Sequence, residues 1–554
     1  MRYAIALLCL LPAGLLLSGC ATNKAETAPQ RNFSPLFEGL GSHERSVTTA
    51  SALAQRYFDQ GLNWYYAFNH DEAIRSFQDA TKLDPNCPMA WWGISIANGP
   101  HINNPVVPPD RAAAAWNALQ RAIACSDRGT AVEQELIFAL KARYANPQPA
   151  DRKQLDRAYA DAMEKVWKAF PNDSDVGTLY AESLMDLAPW DLWTQDKQPK
   201  PGTEKIVETL QTVLALDENN PGANHLFIHA VEASDRPELA DAAADRLRHL
   251  VTGSGHMVHM PSHIDVLTGR WEQASKQNER AIRIDASYRE ISPDQGFYEI
   301  YMAHNHHMLS FASMMEGRHA AALESARAVV ESVPPAALKE QAAFLDPFMA
   351  AVYDVHKRFG RWDDMLAEKR PPSFLPITTT LWHFNRAIAF AAKGEVNKAE
   401  REREVFQSKV NEIPDDTVMS INPAGRILEL ATHFLNGEIA YRKGNMEESI
   451  AHLKKAVDIE DSLLYMEPPE WVQPTRHTLG AVLLKAGRYR EAEKIYRQDL
   501  KKWPENGWSL YGLSRALKEG GNETEAANVL ARFNRAWKRS DSPIGSSCLC
   551  IPKT

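Results

Sequence analysis

The sequence predicts an all-α protein, an α-solenoid of helix–turn–helix repeats wound into a superhelix with a concave groove. Three observations carry this. Apolar residues recur at three- and four-residue spacing along most of the 554-residue chain, and no alternating, strand-like run stands out. Related segments return at a fixed interval, so that Ala492 in "GRYREAEKIYRQDLKKWPEN" and Ala526 in "GGNETEAANVLARF" lie 34 residues apart. Proline closes the second helix of such segments, as Pro85 and Pro504 do. A period in this range marks stacked two-helix units, each burying its apolar face only against its neighbours.

The chain begins with a segment set apart from that body. Arg2 precedes the apolar run "AIALLCLLPAGLLL", and "LSGC" ends it at Cys20, so residues 1–19 read as a signal peptide. The run is short for a transmembrane helix. Leu17, Ser18, Gly19 and Cys20 resemble a bacterial lipobox, which implies cleavage before Cys20 and acylation of its thiol. Ala21, where an aspartate would divert the protein, is similar to the default signal for the outer membrane. The expected location is therefore the bacterial cell envelope, lipid-anchored and facing the periplasm. A plain secretory signal with a chance cysteine is the alternative. Residues 20–50 then read as a lipidated, flexible tether.

The first repeat is "AQRYFDQGLNWYYAFNHDEAIRSFQDATKLDPN", with Gly61 at the small position of its first helix and Ala73, Phe77 and Ala80 lining its second. The same register starts further units near 88, 174, 221, 255, 303, 346, 380, 430, 473 and 507, with another helix pair across about 110–172. This divides the body into 54–220, a histidine-rich stretch 221–345, and 346–540, followed by a tail 541–554. "GPHINNPVVPPD", "PWDLWTQDKQPKPG", "REISPDQGFYEIYM" and "LLYMEPPEWVQP" interrupt the register as structured insertions.

The pattern and period of "SFQDATKLDPNCPMAWWG" resemble the tetratricopeptide consensus. Together with "NHLFIHAVEAS", "HMPSHIDVLTGRW" and "AHNHHMLSFASMMEGR", this string is similar to a group of bacterial envelope tetratricopeptide proteins, over about residues 54–540. The resemblance implies the fold and no particular reaction. It also implies that the first helix of each repeat lines the groove through its second, fifth, ninth, twelfth and thirteenth places. In that register His225 and His229 (unit 221), His256, His259 and His263 (unit 255), and His304 and His307 (unit 303) all point into the groove, while His306 takes a packing place. Glu232, Glu182 and Asp186 share that face as candidate catalytic or ligand-orienting groups, and Met314 and Met315 follow at groove places.

His225/His229 and His259/His263 are i,i+4 pairs, so each pair stacks on one helix face. Imidazoles with carboxylates nearby suit a transition metal, Cu, Zn or Fe, and the methionines lean towards copper. A proton-tuned groove holding an anionic ligand, or plain packing, are the competing readings. HEXXH does not occur, which argues against a zincin-type protease. Tyr65, Tyr66 and Trp92 fall at groove places, Trp64 and Trp91 at packing places, with Trp190 and Trp193 in an insertion; His101 sits on a loop near the expected pocket mouth.

With Cys9 in the signal and Cys20 acylated, four cysteines remain. Cys87–Cys125 is the candidate disulfide. Cys548 and Cys550, one residue apart in "SSCLCIPKT", suit metal capture or redox chemistry better than a relaxed disulfide. A net charge of −9 and the lack of a basic stretch argue against nucleic acid as partner. The expected partners are the membrane, through the lipid, and a peptide, protein or small molecule in the groove. A binding protein with a His-held metal is the first reading. A periplasmic metal-dependent hydrolase or oxidoreductase with its site on repeats 221–320 is the second, and envelope assembly work the third.

Overall fold

A computed structural model describes residues 33–551. The expected signal peptide, Cys20 and the first part of the expected tether lie outside the described residues. Within them the chain is a succession of antiparallel helix pairs: α1 (Ala52–Tyr66) with α2 (His70–Leu83), α3 (Pro88–Ala97) with α4 (Pro109–Ala124), α5 (Ala131–Leu140) with α6 (Lys153–Ala169), and α7 (Ser174–Met185) with α8 (Thr203–Leu216). Next come α9 (Pro221–Val231) with α10 (Asp241–Leu250), then α11 (Gly255–His259) and α12 (Pro261–Thr268) with α13 (Trp271–Ile291), and α14 (Glu299–Glu316) with α15 (His319–Glu331). The short α16 (Pro335–Glu340) and α17 (Ala342–Leu345) precede α18 (Ala351–Arg358) with α19 (Trp362–Ala367) and α20 (Pro376–Ala392) with α21 (Val396–Val410). The chain continues with α22 (Ala424–Arg442) and α23 (Met446–Asp461), α24 (Thr475–Lys485) and α25 (Tyr489–Lys502), and α26 (Gly507–Glu519) and α27 (Glu523–Ala536). Among the described residues the only paired strands are β1 (Val418–Met419) and β2 (Asn422–Pro423). The fold is all-α, as the periodicity predicts.

Local chemistry explains the punctuation. Asn220, Asn506 and Asn522 each cap a following helix by accepting a main-chain N–H, and Thr130 with Glu133 forms a reciprocal capping box. The turns inside the last four pairs place Gly394, Gly444, Gly487 and Gly521 at φ between 71° and 86°, where a side chain would be strained. Ala73, Phe77 and Ala80 are fully buried, as the repeat pattern requires. No described helix is long and apolar enough to cross a membrane.

One expected helix is broken. The first helix of the unit at 255 is interrupted between α11 and α12, because Pro261 has no N–H to continue the ladder. The tether expectation also needs correcting for residues 33–50, which are fastened down. Ser34 N donates to Asp79 (2.6 Å), Phe37 N to Gln60 (2.8 Å) and Thr48 N to Glu133 (2.7 Å), and Arg45 forms a two-pronged ion pair with Asp173. Acceptors on α1, α2 and α5 hold this segment where a free tether was expected.

The helices fall into two compact units. The first contains the described part of Met1–Asp235 with Ala242–Val258 and Ile284–Glu299; the second contains Arg236–Asp241, His259–Arg283 and the described part of Ile300–Thr554. In the second unit Met314 and Met315 lie in the continuous apolar core with Trp271, Phe311, Phe384 and Trp508. They are core residues, which corrects their expected place on a ligand-facing surface. Trp92, fully buried in the first unit, is corrected likewise.

Candidate metal centres

The first unit brings His225, His229 and His256 together with ligand-type nitrogens within 4.8 Å of one another. Asn220 caps α9 and Pro221 takes its first position, which fixes the helix that carries His225 and His229 one turn apart. His225 Nδ1 lies 2.7 Å from the main-chain oxygen of Tyr66, and His229 Nδ1 lies 2.8 Å from Glu232 Oε1. A carbonyl or carboxylate oxygen only accepts, so each Nδ1 carries the proton and donates. In neutral rings that leaves both Nε2 atoms as lone pairs, yet they face each other at 3.1 Å. His256 adds a third Nε2 at 3.2 Å from that of His225, its main-chain N–H donating to Tyr298 Oη (3.0 Å).

Lone pairs aimed at one another repel unless a proton or a metal cation lies between them. Zn–N bonds of about 2.0–2.1 Å in a tetrahedral site put ligand nitrogens about 3.3 Å apart. The observed 3.1 and 3.2 Å edges are close to that spacing. Glu232 and the Tyr66 carbonyl occupy the position from which outer groups orient metal-binding imidazoles and raise their basicity.

Aromatic rings wall this trio. Phe68 has its ring centroid 4.4 Å from that of His225, and the indole of Trp190 stands edge-on to His229 at 5.3 Å. Trp190 is itself held by a hydrogen bond from Nε1 to Asn103 Oδ1 (2.9 Å), in the inserted loop. His101 from the same loop is buried between Phe68 (4.6 Å) and His70 (4.5 Å). Burial pushes His101 down to about 3 and His70 well below the ordinary imidazole range, so both rings are neutral packing groups.

The second unit builds its own trio from His259, His263 and His304, again with one ligand nitrogen each within 4.8 Å. His259 Nδ1 donates to Asn278 Oδ1 (2.7 Å); Asn278 Nδ2 is committed to the Ala274 carbonyl (2.8 Å), which fixes the amide orientation. His263 Nδ1 faces Glu467 Oε1 at 3.1 Å. The two Nε2 lone pairs therefore again oppose each other, at 2.7 Å. A metal between them would have to open that edge by about 0.6 Å. His304 from α14 stacks edge-on against both rings, at 4.7 and 5.7 Å.

Six of the seven expected ligands are thus gathered, in two trios. His307 is the exception. Its ring packs on Phe348 (5.8 Å), and burial pushes it down to about 4. Of the expected acids, Glu232 reaches a ligand. Glu182 instead accepts from Tyr65 Oη (2.8 Å), and Asp186 pairs with the buried Arg143 (2.5 Å). Burial pushes Glu182 up to about 7, against the pull of Arg143. Phe68, Asn278 and Glu467 carry no signal in the sequence that ties them to the histidines, apart from the placing of Glu467 in the insertion "LLYMEPPEWVQP"; Tyr66 was placed in the groove, but the role of its carbonyl was not.

The cysteines correct two expectations. Cys87 and Cys125 are free, buried thiols, and burial pushes Cys87 up to about 12. Cys125 Sγ is turned to the carbonyls of its own helix, Arg121 and Ala122, which directs it away from a disulfide partner. The disulfide joins Cys548 to Cys550 instead, and both are buried.

Paired helices in tandem, closed by capped ends and glycine turns, define a helical-repeat scaffold. Models of the tetratricopeptide repeat match residues 483–536 and 431–462. More particularly, the chain carries tetratricopeptide repeats over those residues. No curated protein matches it. Among solved structures it is similar to the human IFIT1 dimer with m7Gppp-AAAA (15% identity, covering 88% of this chain and 91% of that one, TM-score 0.31). It is also similar to the APC/C hetero-tetramer Cut9–Hcn1 (12% identity, 88% and 74% covered, TM-score 0.29).

Proposed function

We propose that this tetratricopeptide protein is a metal-binding protein of the bacterial envelope, holding a first-row transition metal at each of two tri-histidine centres. One observation carries the reading. In both trios an i,i+4 pair presents Nε2 lone pairs to each other while each Nδ1 is committed to an acceptor. Imidazole sets of this kind suit Zn, Cu or Fe. The methionines give no preference for copper, since both lie in the apolar core. The N-terminal string ending at Cys20 supports anchoring through a lipid, and the repeats support a peptide, protein or small-molecule ligand on the scaffold.

A second reading is a metal-dependent hydrolase or oxidoreductase. Three histidines leave an open coordination position, the arrangement that catalytic zinc uses to activate water. The aromatic wall of Phe68 and Trp190 favours it for the first trio, because excluding bulk water strengthens the electrostatic effect of a bound cation.

The test is metal analysis of residues 21–554, purified without a metal-binding tag and then titrated with Zn, Cu and Fe. About two equivalents per chain are expected, from one ion per trio. No uptake of any of the three ions overturns the reading. Uptake without turnover of ester, peptide or phenolic probes leaves binding ahead of catalysis.

A further inference from the structure

The C-terminal tail is a buried part of the second unit. Ser547, Cys548, Cys550 and Ile551 are each about 1% exposed. The tail is held by its main chain: Arg358 Nη2 donates to the Ser547 carbonyl (2.9 Å), and Arg442 donates to the Cys550 carbonyl. Ser547 Oγ donates to the His477 carbonyl and meets Tyr496 Oη, both at 2.7 Å. These contacts aim both sulfurs at one acidic side chain. Glu438 of α22, 1% exposed, sets Oε1 2.8 Å from Cys550 Sγ, and its ligand oxygen and both sulfurs lie within 4.8 Å of one another. Its second oxygen, Oε2, is buried with no hydrogen-bond partner.

A buried carboxylate oxygen left without a donor is costly, and a disulfide sulfur has no proton to offer it. Reduction changes the chemistry of the site. Two electrons and two protons from a dithiol reductant cleave the Cys548–Cys550 bond and leave two thiols beside Glu438. A divalent cation then displaces both thiol protons and meets two thiolates and one carboxylate, an S2O set suited to zinc. The tail that carries it is held by the guanidinium groups of Arg358 and Arg442 at its own carbonyls, where cationic groups favour a net charge of −1.

We propose that Cys548, Cys550 and Glu438 form a redox-gated site for a thiophilic divalent cation, closed as the disulfide and opened by dithiol reduction. It stands apart from the histidine centres in donor type, so it does not depend on them. The test uses residues 21–554, with Co2+ as probe. After dithiothreitol treatment and removal of the reductant under argon, a thiolate-to-cobalt charge-transfer band is expected in the near ultraviolet, displaced by Zn2+. The oxidised protein should lack it, as should the reduced C548S/C550S variant; H229A/H263A should keep it. E438Q should keep the band but bind at least tenfold more weakly. A band that persists in C548S/C550S, a disulfide that stays closed to dithiothreitol in the folded chain, or E438Q binding at full affinity each overturns the proposal. If C548S/C550S fails to fold by circular dichroism, E438Q and the oxidised wild type decide the outcome.

Discussion

The two histidine trios use one device with different outer parts. Each takes an i,i+4 pair from one chain segment and a third ring from a later helix. In the first, the pair rides on an unbroken helix and its Nδ1 protons go to a main-chain carbonyl and to Glu232, three residues on. In the second, the pair straddles the break at Pro261, and its protons go to Asn278 and Glu467, the latter 204 residues away in sequence. The first edge is metal-sized at 3.1 Å; the second is tighter at 2.7 Å. The difference teaches that pairing of ligands is a local property of helical spacing, whereas their tuning is bought from wherever the fold brings an acceptor.

The largest expected effect comes from the paired histidines themselves. His229→Ala and His263→Ala should each remove about one equivalent of metal, since each variant deletes one of the three imidazoles of its trio. Metal content of both variants, with far-ultraviolet circular dichroism to show unchanged helicity, checks this. Full retention by both would remove the trios as drawn.

Next in size are the outer partners. Glu232→Gln and Glu467→Gln should each weaken the adjoining centre about 10- to 100-fold, the usual cost of losing a group that orients a ligating imidazole. Competition with a chelator of known affinity measures it. Because Glu467 sits at 3.1 Å and Glu232 at 2.8 Å, the Glu232 substitution should cost the more. Equal, small effects would mean that the imidazoles are oriented by packing alone.

These partners also mark the limit of sequence reading. The repeat register follows from local spacing, and with it the stacking of His225 on His229. Glu232 was legible too, being one turn further along the same chain. Pro261 was in view, but nothing local shows that His256 joins one trio while His259, on the same short helix α11, joins His263 across the break in the other. Asn278, Glu467 and the Tyr66 carbonyl were not legible, because long-range approach leaves no trace in periodicity. The burial of the tail was not legible either, because Arg358, Arg442 and Tyr496, which hold it, lie far off in sequence.

A smaller effect probes the scaffold under the first centre. A Cβ on Gly222 would lie 2.5 Å from the Tyr66 ring, and Tyr66 supplies the carbonyl that orients His225. Gly222→Ala should therefore cost about 1–3 kcal/mol by overpacking. It should also weaken metal at the first centre while sparing the second. Thermal unfolding with metal titration checks both parts; loss at the two centres alike would show that the defect is general destabilisation.

The smallest contrast is one of proton linkage, between one carboxyl in each unit whose shifts have opposite signs. In the first, burial pushes the Asp59 carboxyl up to about 6 despite hydrogen bonds from Gln55 and the Arg45 main chain. Its contribution to stability is complete below the unfolded value of 3.8 and is lost as pH rises through about 6. In the second, burial opposes ionisation of Glu368, but His356 and Arg327 outweigh it and hold the carboxyl down to about 2. That contribution is present above 4.5 and is lost as pH falls towards 2. Asp59→Asn keeps an acceptor for both donors without the charge, so relative to wild type it should gain stability between pH 4 and pH 7. Glu368→Gln should lose most at pH 7 and least near pH 3. Both groups are partly exposed, so solvent screening reduces each effect to about 1 kcal/mol. Denaturant midpoints across pH measure them, and parallel pH profiles for the two variants would erase the contrast between the two carboxyls.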